Sequence, residues 1–95
     1  MVRGSRLSNA LGRQNACMAL LALLDARAPI GANDLTDRIE GFSGSGIKVA
    51  RHLAGFGLVR IKEKKGVAGR PAYEIALTST GERIAKALAD AAEAI

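Results

Sequence analysis

Apolar and polar positions alternate with two different periods along the chain, and the changes of period divide it into elements. Residues Met1 to about Ser8 are polar and aperiodic and read as a flexible arm of residues 1–8, leaving 9–95 as the folded domain. From Ser8 or Asn9, either of which can cap a helix, the run ALGRQNACMALLALLDARA predicts one long helix to about Ala28. Leu11, Met18, Leu21 and Leu24 mark one side of that helix, and Ala16, Ala19, Leu20 and Leu23 fill much of the other. A helix apolar nearly all round has to be covered nearly all round, which points to a second copy of the chain. Pro29 ends the helix, because the residue before a proline disfavours the α region, and Pro29-Ile30-Gly31 reads as a short extended link.

A second, short helix is predicted from Asp34 to about Glu40, capped by Asn33, with Leu35 and Ile39 facing inward and Gly41 supplying a positive φ at its end. A third starts at Ser43 to Ser45 and runs to about Gly55. At 100° per residue, Ile47, Val49, Ala50, Leu53, Ala54 and Phe56 fill one half of its wheel, while Ser45, Lys48, Arg51 and His52 group on the other. Gly44 and Gly46 fall in its first turn, where they would let a phosphate approach exposed N–H groups. The period then changes to two. Leu58 to Glu63 reads as a half-buried strand, 64–70 as a turn-rich tip, and Pro71 to Leu77 as the returning strand. Thr78, Ser79 or Thr80 caps a final helix from about Gly81 to Ala94, with Glu82 in reach of the cap. Gly81, Ile84, Leu88, Ala91 and Ile95 form a 3-4-3-4 seam along it that needs the first helix beside it.

Charge sharpens this outline. Between Ser43 and Tyr73 the chain carries seven Lys/Arg (Lys48, Arg51, Arg60, Lys62, Lys64, Lys65 and Arg70) against one acid, Glu63. The rest of the chain nets −1, so the whole +5 resides in the third helix and the hairpin. A pI near 10 indicates a polyanionic partner. Arg3, Arg6 and Arg13 add a basic N-terminal end that could reach phosphates.

Composition excludes several classes. The 95 residues suffice for one domain with a core of Leu, Ile, Val and Ala, since the aromatics are only Phe42, Phe56 and Tyr73. One cysteine, Cys17, rules out an intrachain disulfide framework, and with a single His the chain has no metal-ligand spacing. There is no Ser/His/Asp set, no P-loop and no paired carboxylates, so a catalytic role, a cofactor or a small-molecule effector finds no support in the residues. No apolar run is long enough to span a bilayer, and the basic residues lie on a helix and a hairpin rather than on one amphipathic helix, which argues against a membrane partner. These features together suggest a cytoplasmic protein.

Several short stretches carry a resemblance. They are Asn33-Asp34-Leu35, Gly41-Phe42-Ser43, Ala50-Arg51-His52-Leu53, Gly57-Leu58-Val59, Gly69-Arg70-Pro71-Ala72-Tyr73 and Leu77-Thr78-Ser79-Thr80-Gly81. In this order, over about residues 16 to 90, they resemble the small winged helix-turn-helix transcriptional regulators of the MarR, ArsR and PadR type. The resemblance implies a mainly α fold with a small β-hairpin, in which the long first and last helices form a homodimer interface. It implies double-stranded DNA as the partner, with the recognition helix 43–55 in the major groove and the wing 60–73 on the backbone or minor groove. Carried over by position, Ser43, Ser45, Lys48, Arg51 and His52 would face the groove, and Lys62, Lys64, Lys65 and Arg70 would serve the wing. Two other readings stay open: an architectural DNA-binding protein of low sequence specificity, favoured by the helix glycines and the basic arm, and a protein-interaction winged helix without nucleic acid.

Overall fold

The computed structural model describes residues 4–42, 44–66 and 71–95. In chain order the elements are α1 (Ser5–Leu11), α2 (Ala16–Ala26), β1 (Ile30–Gly31), α3 (Ala32–Arg38), α4 (Ser45–Gly55), β2 (Val59–Lys65), β3 (Pro71–Leu77) and α5 (Ser79–Ala92).

The expected long first helix is two helices. It breaks between Gly12 and Asn15, and Asn15 adopts a left-handed φ of 68° at the start of α2, a conformation that asparagine tolerates better than most residues. Gly12 ends α1 and Asn15 starts α2, and Ala10 and Ala16 on either side of the break are both buried. The N-terminal end is also helical from Ser5, with Gly4 rather than Ser8 or Asn9 at the cap, so the arm expected over residues 1–8 is shorter. Residues 1–3 lie outside the described residues.

Pro29-Ile30-Gly31 does more than link helices. Ile30 and Gly31 form β1, which pairs antiparallel with β3 opposite Ile75 and Glu74, so the extended link joins the hairpin in a three-stranded sheet of order β1-β3-β2. Gly31, not Asn33, then occupies the cap position of α3, with no side chain donating or accepting there. At the other end of α3 the left-handed residue is Glu40 (φ 54°), not Gly41. Leu35 and Ile39 are buried as the spacing predicts.

The core joins one fully buried residue from each layer: Leu20 of α2, Leu35 of α3, Leu53 of α4 and Ile75 of β3. α5 packs along α2, with Gly81 and Ala85 buried and Ile84 and Leu88 half-buried, while Ala91 and Ile95 of the expected seam are exposed. Thr78 caps α5: its hydroxyl accepts the Gly81 N–H at 3.0 Å and donates to the Gly57 carbonyl at 2.6 Å. Glu82 pairs with Lys86 at 3.1 Å instead of completing a capping box. The pair α3–α4 is a helix-turn-helix and β2–β3 is its wing, so the fold is a winged helix-turn-helix, mainly helical with a small antiparallel sheet. Among the described residues no helix is long and apolar enough to cross a membrane, and no group of three or more His, Cys, Asp or Glu stands together as a metal site.

Candidate nucleic-acid interface

α4 is seated by its inner face. Val49, Ala50 and Leu53 enter the core, and Gly46 lies against α3. The Gly46 N–H donates to the Thr36 hydroxyl at 2.8 Å, and that hydroxyl donates to the Ala32 carbonyl at 3.0 Å. Gly46 therefore does not lie open to an approaching phosphate, as its place in the first turn had implied. It is a packing glycine whose missing side chain lets α3 and α4 meet. Gly44, with φ 81° and nothing within 4 Å of where a side chain would start, is the residue that turns the chain into α4.

On the opposite face Lys48 and Arg51 are exposed and Ser45 is half-buried. The Arg51 guanidinium carbon stands 5.5 Å from the centroid of the Tyr73 ring, a cation–π distance, and so ties the free face of α4 to strand β3 of the wing. His52 departs from the expected arrangement. Its Nε2 lies 3.0 Å from the Ala10 carbonyl oxygen, and its ring packs on Phe56 with centroids 5.2 Å apart. The Arg6 guanidinium carbon also lies 5.2 Å from the Phe56 ring centroid. His52 thus fastens α1 to the end of α4 instead of joining Lys48 and Arg51. At i+3 from buried Val49 and i+4 from exposed Lys48 it occupies the boundary of the two faces, and α1, which the sequence pattern did not separate, decides its direction.

The wing distributes its cations over two faces. Val59 and Ile61 turn inward, so alternation puts Arg60, Lys62 and Lys64 on the outer face. Lys65 shares the inner side with Glu63, which stands opposite Tyr73 in the register. Glu74 lies opposite Lys62, and its carboxylate forms an ion pair with Lys64. The strand continues through Lys65, beyond the tip expected to begin at residue 64. Ser43 and Arg70 lie outside the described residues.

The sequence pattern gave no special role to Thr36 or Phe42. Thr36 is the buried polar residue that joins α3 to α4, and Phe42, beside the turn, is 90% exposed.

The architecture is shared with two solved structures. ytfH of Salmonella typhimurium, named a transcriptional regulator, superposes with a TM-score of 0.69 at 21% identity, over 96% of this chain and 79% of that one. A transcriptional regulator homologue from Pyrococcus horikoshii OT3 superposes with a TM-score of 0.65 at 21% identity, over 95% of this chain and 92% of that one. No protein-family model and no curated protein sequence matches the chain.

Proposed function

We propose that the protein is a double-stranded DNA-binding transcriptional regulator that acts as a homodimer. The observation that carries this reading is the solvent face of α4: Lys48 and Arg51 are exposed and form no ion pair among the described residues, Arg51 leans on the wing through Tyr73, and the +5 charge of the chain is concentrated on these two elements. In this reading α4 enters the major groove, where Arg51 donates to guanine O6/N7, and the wing cations hold the sugar–phosphate backbone. The same fold in two proteins named as transcriptional regulators supports it.

The homodimer would use the α2–α5 side of the molecule. Met18 of α2 is 46% exposed beside half-buried Leu21 and Ala22, so this helix retains an apolar strip that its own domain leaves uncovered. Two such protomers would present two α4 helices to a pseudo-palindromic site.

The architectural reading loses one of its supports, because Gly46 serves helix packing and is not a blank position on a base-reading surface. Selection of bound duplexes from a random pool, followed by competition between selected and random DNA, tests the proposal. A regulator is expected to prefer its selected site by about 10³-fold or more. A preference under about tenfold would favour the architectural reading, and binding insensitive to salt would favour a protein-interaction role.

A further inference from the structure

The break between α1 and α2 opens a cleft against the start of α4. It has a volume of about 370 Å3 and is lined by Arg13, Gln14, Asn15, Ser45, Lys48 and Val49. Five of these six residues carry side-chain hydrogen-bond donors, two of them cationic, and none carries a carboxylate. Arg13 and Lys48 are both exposed, and neither forms an ion pair among the described residues. The two cations come from separate elements and are brought to one cleft by the fold. Arg13 is 35 residues away from Lys48 in the chain, and on an unbroken first helix it would have no loop to lean from.

A lining of donors and cations without acceptor charge suits an oxyanion with several acceptor oxygens. The two cations also stand where the α1–α2 loop meets the start of α4, ahead of Arg51 in the helix, which suits a backbone contact beside the base-reading face. Resting on the DNA-binding reading, we propose that this cleft takes one backbone phosphate of the duplex, with Arg13 and Lys48 as its two charges and the Ser45 hydroxyl as a further donor. Lys48 then serves as a positioning residue that fixes how α4 sits in the groove, and Arg51 is left as the base reader. The residues of the α1–α2 loop thereby become part of the DNA-binding surface, which would comprise three elements rather than helix and wing alone.

The test is the salt dependence of binding to a short random-sequence duplex, measured by fluorescence anisotropy on the full chain. Arg13→Gln is expected to flatten the slope of log K against log salt by about 0.9, which is roughly threefold less affinity lost between about 50 and 200 mM salt. Arg13→Lys, which keeps the charge, and Arg83→Gln, which removes an exposed cation of α5 remote from the cleft, are expected to keep the wild-type slope. An Arg13→Gln slope equal to wild type, in a protein that binds DNA, overturns the phosphate clamp and leaves the DNA-binding reading standing. An equal flattening by Arg83→Gln also overturns it, since the effect would then be one of net charge. If the wild-type chain shows no salt-dependent affinity for duplex DNA, both readings fall together. Circular dichroism of each variant separates loss of contact from loss of fold.

Discussion

Gly46 of α4 and Thr36 of α3 meet through one hydrogen bond, N–H to hydroxyl at 2.8 Å, at a place where Gly46 has no room for a side chain. A side-chain carbon built on Gly46 would come within 2.6 Å of the Thr36 hydroxyl oxygen and 2.8 Å of the Thr36 nitrogen, and would overlap the Ala32 carbonyl oxygen. The relation fixes how α4 projects from the domain, so it connects packing directly to the placement of Lys48 and Arg51. Gly46→Ala is expected to destabilise the fold by about 1–3 kcal/mol through overpacking. Thr36→Val keeps the shape but leaves the buried Gly46 N–H unpaired, at a cost of about 1–3 kcal/mol. Urea unfolding of both variants measures these losses. A wild-type midpoint for Gly46→Ala would mean that α3 and α4 are not held this closely.

The start of α5 depends on a second close approach. Gly81 packs on the backbone of Leu58, and a side-chain carbon there would overlap the Leu58 carbonyl oxygen. That carbonyl also accepts the Thr78 N–H at 3.1 Å, while the Thr78 hydroxyl holds Gly57 and caps Gly81. Thr78→Ala is expected to cost about 1–2 kcal/mol, the upper part of the usual range for a lost cap, because it also removes the bond to Gly57. Gly81→Ala forces two backbone segments apart and is expected to cost more than Thr78→Ala. Thermal melts of the two variants rank them, and the reverse order would contradict this packing.

The sequence pattern made much of this architecture legible, and its failures have physical causes. Strong periodicity located α4, the strands and α5, because their apolar positions face one core. The break at Gly12–Asn15 was masked because apolar residues continue on both sides of it, although Gly12 and Asn15 are residue types that favour helix ends. β1 was legible as a short extended segment after Pro29, but its pairing with β3 was not, because two residues carry no period to set a register. In the candidate site, Lys48 and Arg51 emerged from the wheel, whereas the direction of His52 depends on α1, 42 residues away from it in the chain. Lys64 looked free in sequence, since its partner Glu74 arrives only through the strand register.

Arg51 offers a prediction that separates charge from geometry. Its guanidinium lies over the Tyr73 ring at a cation–π distance, and a lysine ammonium would keep the charge without the planar fork that matches guanine. With Arg51 as base reader, Arg51→Lys is expected to lower the preference for selected over random duplex by about 1–3 kcal/mol while leaving the salt slope near wild type. Competition binding at fixed salt gives the first quantity and a salt series the second. A flattened slope with unchanged preference would instead make Arg51 a phosphate contact.

The ion pair between Lys64 and Glu74 predicts an unequal response among the basic residues. Lys64 already has a carboxylate partner on the neighbouring strand, and Glu74 also stands opposite Lys62. An exposed pair of this kind adds little stability, about 0–1 kcal/mol, but it holds negative charge on the wing face that would approach a polyanion. Glu74→Gln removes that charge, frees Lys64 and leaves the strand register intact, so the fold should melt close to wild type. DNA affinity is expected to rise, and the salt slope to steepen by up to about 0.9, corresponding to one further phosphate contact. Conversely, Lys64→Gln in the wild-type background should weaken binding less than Lys48→Gln, because Lys64 is already partly neutralised and Lys48 forms no ion pair among the described residues. Anisotropy titrations of the three variants against one duplex decide the matter. Unchanged affinity in Glu74→Gln would remove the outer face of the wing from the DNA-binding surface and leave α4 and the inner side of the hairpin to carry it.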